Sequence, residues 1–457
     1  MTTDALDTPP LARLRAEVAA GRVQEVIVAV PDLQGRLQGS RLSAEHFLDE
    51  AAEEGFGACV YLLATDAEME TGPGYAIDAW QSGFGDFVLR SDPATLRLLP
   101  WDEGTAQVIA DATWPGGEPV EIAPRRVLRT QLDRLADRGL TAFAGTELEF
   151  LVFDETYQQA WDRNYHGLRP ATRYNVDYAL QGLSSIEPVV RRIRREMVRA
   201  GLRMETARAE VHPGQYEIVF RYAEAMETCD NHVVFKNGAK HIAAEMGHAL
   251  TFMPKFDGGE GNSCHLHLSL RGTDGDAAFA EEDDPAQMSA LMRHFVAGQL
   301  ACMADFALLM APNINSFKRL QPGAFAPTGI GWGRDNRTCP IRVVGSGHSL
   351  RLEHRVPGGD ANPYLAVAAA VGAGLYGIDN SLPLPAPHSS NALADPEVPQ
   401  LPRTLTEALH RWESSEIAAA VFGESVVAHY ARAARTELAA FERSVTDWER
   451  IRGFERL

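Results

Sequence analysis

The sequence predicts an α+β fold from three features. Alternating apolar runs such as "VQEVIVAV" (Val23–Val30) and "TAFAGTELEFLVF" (Thr141–Phe153) read as strands. Between them lie helical patterns such as Arg125–Gly139 and Ile186–Ala200, with no regular strand–helix–strand period of the kind a doubly wound sheet shows. The totals are those of an ordinary globular chain: 457 residues, 45% hydrophobic and 23% charged. That length allows two or three domains and a large core.

Taken in order, residues 1–15 read as a disordered tail and residues 16–114 as a first domain. Ala16–Val30 runs from a short helix into a strand, followed by the turn "PDLQG". A helix is expected near Ser43–Glu54, then short strands and Gly-rich turns as far as Asp111. "TWPGGEPVEIAP" (Thr113–Pro124) is the natural boundary, because three prolines and two glycines crowd into it. Residues 121–457 form the second domain, opening on an amphipathic helix, Arg125–Gly139, that ends at a glycine. Ile186–Ala200 and Ala223–Leu250 are expected to be helices; Ser263–Leu270, Asn336–Val344 and Leu350–Val356 are expected to be strands. "DANPYLAVAAA" starts a helix with Pro363 at its first position. Its continuation, Leu365–Ile378, is Ala/Gly-rich and shorter than the roughly 20 residues a bilayer span needs, so it reads as a tightly packed interior helix. Leu405–Leu457 is helical with breaks.

Charge and cysteine usage exclude some functions. A net charge of −19 and a pI near 5.2 repel phosphate backbones, so no nucleic-acid partner is expected. The start "MTTDALDTPP" has no apolar run, so no signal peptide and no membrane association are expected. Five scattered cysteines without CxxC spacing suggest a reducing cytoplasm, with no disulfide framework and no zinc site.

The chemistry begins at "TELEF". On a strand, residues i and i+2 share a face about 7 Å apart, so Glu147 and Glu149 project together. Two such carboxylates repel unless a cation lies between them, although an isolated pair is more often a solvated strand face. The pattern recurs. Glu205, Glu210 and Glu217 flank the Pro-Gly turn of "ETARAEVHPGQYEI". His265, His267 and Ser269 share a face in "CHLHLS", and Arg351, Glu353 and Arg355 share one in "RLEHR". Carboxylate-rich sites with at most one imidazole suit Mg²⁺ or Mn²⁺. Arg319, Arg337, Arg342, Arg351 and Arg355 gather cations in an otherwise acidic chain. Divalent metals with fixed guanidinium groups are what in-line phosphoryl transfer requires. No Walker or kinase glycine loop is present, so a nucleotide must be held another way.

"TELEF", "PGQYEI", "TFMPK", "CHLHLSL", "NR…IR", "RLEHR" and "ANPYL", in this order and spacing, resemble glutamine synthetase. The resemblance spans nearly the whole chain, most strongly Gly145–Asp379. It implies an N-terminal β-grasp domain and a catalytic domain with a curved antiparallel sheet. It also implies a homo-oligomer, a dodecamer of two stacked rings with active sites at subunit boundaries. Position by position, it implies one metal site on Glu149, Glu210 and Glu217 and a second on Glu147, His265 and Glu353. Nucleotide contacts fall on Glu205, His267, Ser269, Arg342 and Arg351. Glutamate contacts fall on Gly261, Arg319 and Arg355, and Arg337 faces the transferring phosphate. The implied chemistry is ATP-driven formation of γ-glutamyl phosphate followed by amine attack, with two or more Mg²⁺ or Mn²⁺ per site.

The pattern breaks in "KRLQPGAFAPTG" (Lys318–Gly329), where Phe325 stands in place of the family's glutamate at the ammonium pocket. The family's Asp-Gly-Ser-Ser stretch has no counterpart in Gly55–Asp66, Asp66 being the nearest substitute carboxylate. Glu260-Gly261 replaces the usual Asn-Gly, and Asp379–Glu397 lacks the tyrosine that is adenylylated in the family. An apolar wall gives ammonium little, whereas an organic amine gains about 0.8 kcal/mol per buried methylene and a protonated distal amine a cation–π contact. The reading is therefore a glutamate–amine ligase acting on a polyamine, ethanolamine or related monoamine. The alternatives are an ammonium-dependent glutamine synthetase and a non-catalytic relative. Of the remaining features, His46, His166, His232, His241, His248, His294, His388, His410 and His429 read as surface or core residues, and "EEDD" (Glu281–Asp284) as a solvated loop. Trp161 and Tyr165 read equally well as a cover for the site or as a surface excursion.

Overall fold

The computed structural model describes residues 9–457 apart from 78, 282, 284–286 and 396. The "EEDD" run lies partly outside the described residues. Among the described residues, the strands form two sheets.

The first sheet has six strands: β1 (Glu25–Pro31), β2 (Leu37–Ser43), β3 (Phe56–Cys59), β4 (Asp86–Ser91), β5 (Arg97–Leu98) and β6 (Thr105–Thr113). Their order is β2-β1-β6-β4-β3, with β5 beside β6. The pairing of β1 with β6 is parallel, and the others are antiparallel. Val26, Val28, Ala106, Val108 and Phe87 are buried in its core.

The second sheet has nine strands: β7 (Leu140–Phe153), β8 (Met204–Ala209), β9 (Gln215–Phe220), β10 (Ala223–Glu224), β11 (Ala249–Thr251), β12 (Cys264–Gly272), β13 (Trp332–Arg334), β14 (Ile341–Val344) and β15 (Arg351–His354). The order β13-β14-β15-β12-β7-β9-β8 puts the long β7 near the centre, with β10 and β11 also pairing with it. In this sheet, among the described residues, only the β13–β14 pairing is parallel. Alternation divides the sheet. Leu148, Phe150, Tyr216, Ile218, Leu266, Leu268 and Leu352 point into the core, while the charged residues take the other face.

The interior helix Pro363–Asp379 closes that core. It packs on the helix Ala290–Cys302 at very short range. A Cβ on Gly298 would stand 2.0 Å from the Ala373 carbonyl, and one on Gly377 2.1 Å from the His294 carbonyl. Asn362 caps this helix by accepting from Tyr364 N–H, and its Nδ2 donates to the Asp32 and Leu33 carbonyls at 3.0 and 3.2 Å. Buried Arg125 meets Asp92 at 2.6 Å, Asp111 at 2.7 Å and Asp230 at 3.0 Å. Both contacts bind the first sheet and its loops to helices later in the chain.

Several expectations need correction. A helix runs over Pro10–Ala19, so the expected tail is helical from Pro10 onward, and residues 1–8 lie outside the described residues. Pro10 suits the first helical position, and Leu14 buries itself. The helix expected over Ala223–Leu250 is Ala225–Glu245, with edge strands β10 and β11 at its ends, because unpaired length of β7 captures both flanks. The strand expected from Asn336 starts at Ile341. The Asn336 side chain instead holds a turn, accepting from Thr338 N–H and donating to the His388 and Ser390 carbonyls. The break between the two sheets falls between Thr113 and Pro124, where the proline- and glycine-rich stretch lies.

Candidate active site

Strand register assembles the site. Glu147 on β7 lies opposite His265 on β12, and His267 lies opposite Glu353 on β15. Glu353 in turn faces Arg342 on β14. On the other flank of β7, Glu149 faces Glu217 on β9, which faces Arg208 on β8.

Two clusters result. Ligand atoms of Glu149, Glu210 and Glu217 lie within 4.8 Å of one another, as do those of Glu147, His267 and Glu353. His265 belongs beside the second cluster: its Nδ1 is 3.3 Å from Glu147 and 3.7 Å from Glu353. His267 Nε2 is 3.0 Å from Glu147, while its Nδ1 accepts from Arg351 Nε at 3.1 Å. Both histidines therefore reach Glu147, although the resemblance gave only His265 to the metal and His267 to the nucleotide.

The electrostatics of the clusters differ. Burial works against ionised Glu147, but hydrogen bonds from His265 and His267 outweigh it and hold the carboxyl well below the usual range. Burial likewise resists ionised Glu353, yet His265, Arg355, His267 and Arg342 bring it down to about 2. Arg342 meets Glu353 at 2.7 Å, and Arg355 forms a second ion pair with it. In the other cluster, burial and the charge of Glu147 push Glu217 up to about 9, and burial and Glu149 push Glu210 up to about 7. Arg208 opposes both shifts, at 2.8 Å from Glu210 and 2.7 Å from Glu217.

The clusters fit divalent metals. Glu217 is 1% exposed, and besides the Arg208 ion pair neither of its carboxylate oxygens receives a hydrogen bond. Buried carboxyl oxygens close to two further carboxyl groups suit a hard cation with oxygen ligands.

Around the clusters is a cavity of about 390 Å³. Arg319, Arg337, Arg342, Arg355, Gly261 and Phe325 line it together with the first cluster and with Glu147, His265 and Glu353. A second cavity of about 730 Å³ shares Glu147 and is lined by Glu205, His267, Ser269 and Arg351. The residues expected to meet nucleotide thus sit apart from those expected to meet glutamate, except that Arg342 lines the first cavity. Arg319 is buried and donates to the Val356 and Arg355 carbonyls at 2.9 and 3.2 Å. Gly261 has no room for a side chain, since a Cβ would lie 2.3 Å from the Pro254 carbonyl. Phe325 is 62% exposed, and its N–H donates to Glu260 at 3.4 Å.

Some site residues were not foreseen. Arg208, inside "ETARAE", pairs with both Glu210 and Glu217. Gln215 donates to Glu149 at 3.1 Å and to the Gly261 carbonyl at 2.9 Å; its signal was its place in "PGQYEI". Trp161 and Tyr165 stand exposed and do not line either cavity; Asp177 and Tyr178 of the same segment line the first. Asp66 accepts from the N–H groups of Glu68 and Glu70 and does not line the cleft of its own chain.

Paired acidic clusters, a guanidinium row and two joined cavities define a site suited to metal-assisted phosphoryl transfer onto a small substrate. The chain belongs to the glutamine synthetase family: residues 121–452 match the family described as "Glutamine synthetase, catalytic domain". It is 57% identical to gamma-glutamylethanolamide synthetase GlnA4 of Streptomyces coelicolor, over 98% of this chain and 97% of that protein. It is 33% identical to glutamate–isopropylamine ligase of a Pseudomonas species, over 96% and 97%. Among solved structures it is similar to one described as a GmaS/ADP complex, with a TM-score of 0.84, 29% identity, and 96% and 99% of the two chains covered.

Proposed function

We propose that the chain is an ATP-dependent glutamate–amine ligase that joins the γ-carboxylate of L-glutamate to a small organic amine, with ethanolamine the first candidate. The observation that carries this reading is Phe325, an exposed ring at the mouth of a cavity whose acidic clusters are otherwise complete. The ethanolamide- and isopropylamide-forming relatives support it.

In this reading the larger cavity takes ATP, with Glu205, His267, Ser269 and Arg351 around the nucleotide. Glutamate lies in the smaller cavity, its α-carboxylate toward Arg319 and Arg355 beside Gly261. Glu149, Glu210 and Glu217 hold one Mg²⁺ or Mn²⁺, and Glu147, Glu353 and His265 or His267 hold another. When bound, these ions neutralise phosphate oxygens and polarise the P–O bond. Arg337 and Arg342 face the transferring phosphoryl group and stabilise its developing charge. The γ-carboxylate attacks the terminal phosphorus of ATP, ADP leaves, and γ-glutamyl phosphate forms. The amine then displaces inorganic phosphate. Phe325 covers the amine's carbon chain and lowers the cost of excluding water there. The working form is a homo-oligomer. The exposed apolar residues Trp448, Ile451 and Phe454 near the C-terminal end support that, and light scattering checks it.

The test is phosphate release with ATP, Mg²⁺ and L-glutamate, comparing ethanolamine, isopropylamine, putrescine, spermidine and ammonium, with mass detection of the amide. Turnover with an organic amine and almost none with ammonium is expected. Glutamine as the main product would overturn the reading.

A further inference from the structure

Glu260 stands apart from the cluster carboxylates of the cleft. Glu147 and Glu353 are held by histidines and arginines, and Glu210 and Glu217 by Arg208. Glu149 accepts from Gln215 Nε2 and from Ser263 N–H at 2.7 Å. Glu260 is half-buried, belongs to neither cluster, and accepts from Phe325 N–H at the long distance of 3.4 Å. It also lines an outer cavity of about 700 Å³ on the other side of the loop 321–328. Glu260, Ala324, Phe325 and Ala326 line both that cavity and the cleft, so they stand at the boundary between the two. Asp177 also lines the cleft outside the clusters, but it does not line the outer cavity.

The segment bearing Glu260 is braced. Buried His212, in the turn between β8 and β9, meets Asp257 at 2.8 Å through Nε2 and the Pro213 carbonyl at 2.8 Å through Nδ1. A Cβ on Gly259 would meet the His212 ring at 2.3 Å, so the turn packs directly on that ring. Asn315 fixes the other end, accepting from Lys255 N–H and donating to the Lys255 carbonyl, both at 2.9 Å. A carboxylate at that boundary, on a braced segment, attracts a cation. The amine arrives as one.

We propose that Glu260 binds the ammonium group of the incoming amine and takes its proton; this rests on the ligase reading above. The ammonium loses one proton to the Glu260 carboxylate, leaving a neutral amine with its lone pair free. That pair attacks the γ-carbonyl carbon of γ-glutamyl phosphate. The C–N bond forms, the C–O bond to phosphate breaks, and the remaining excess proton of the adduct passes to the departing phosphate. Glu260 returns its own proton to solvent in the outer cavity.

The test compares γ-glutamylethanolamide and γ-glutamylhydroxamate formation by the full-length protein with ATP, Mg²⁺ and glutamate. Hydroxylamine is mostly neutral near pH 7, so it needs neither an ammonium site nor a base. Glu260→Gln is expected to lose about 100-fold in kcat/KM for ethanolamine but less than about tenfold for hydroxylamine, with the KM for glutamate nearly unchanged. Glu260→Asp is expected to regain about tenfold of the ethanolamine loss. Residual hydroxamate synthesis also reports that each variant is folded. Equal losses with both nucleophiles, a KM for glutamate rising in step, or no loss at all would each overturn the inference. Wild-type protein that forms hydroxamate but no amide with any organic amine would instead sink the ligase reading, and the inference with it.

Discussion

The two acidic clusters sit on one sheet face, flank the same strand and are built mainly from the same residue type, yet their charges are balanced in opposite ways. Around Glu147 and Glu353, histidines and arginines keep the carboxylates ionised. Around Glu210 and Glu217, burial and like charge push both carboxyls upward, against Arg208. The first cluster is electrostatically complete as a piece of protein. The second stores repulsion that a bound cation relieves. A carboxylate's identity therefore says little about whether it stabilises a fold; its neighbours decide the sign.

The largest expected effect sets one cluster against the other. Glu353→Ala leaves the buried guanidinium of Arg355, and the half-buried one of Arg342, which keeps Asp335, without their shared partner and is expected to cost about 3–5 kcal/mol. Glu217→Gln replaces a carboxyl that burial and like charge force to take up a proton on folding, and is expected to leave the metal-free protein as stable as wild type, or about 1 kcal/mol more so. Thermal melts in EDTA measure both, and losses of equal size would end the contrast. Neither variant should make amide.

Metal addition sharpens the same point. Mg²⁺ at about 100 times its dissociation constant should stabilise wild type by about 2.7 kcal/mol, and the gain should fall by at least about half in Glu217→Gln. Identical gains would place the stabilising ion elsewhere. Arg208→Ala is expected to cost about 1–3 kcal/mol in EDTA, since it strips one buried and one half-buried carboxyl of their cation, and less once Mg²⁺ is present. A cost unchanged by Mg²⁺ would mean that Arg208 is structural and unrelated to the metal.

Phe325 lies outside both clusters and serves as the control. Phe325→Glu should change stability by less than about 0.5 kcal/mol because the ring is mostly exposed. It should still move the kcat/KM ratio of ammonium to ethanolamine upward by about tenfold. An unmoved ratio would remove Phe325 from the choice of amine.

Alternation along a strand is a local property, so "TELEF", "CHLHLS" and "RLEHR" by themselves determined that Glu147 and Glu149, His265 and His267, and Arg351, Glu353 and Arg355 would each share a face. The same local reasoning separated Leu352 and buried His354 onto the apolar side. The interior helix was equally legible, because its Ala/Gly composition is itself the condition for close helix packing. Which face meets which was decided only by tertiary structure. Glu147 and His265 are 118 positions apart, and their contact depends on the register between β7 and β12, which the packing of the whole core sets. The same long-range pairing brought Arg208 to two carboxyls, put both histidines within reach of Glu147, and seated Glu260 beside Phe325. No period in the chain encodes those distances, because they depend on how separate strands and loops settle against one another.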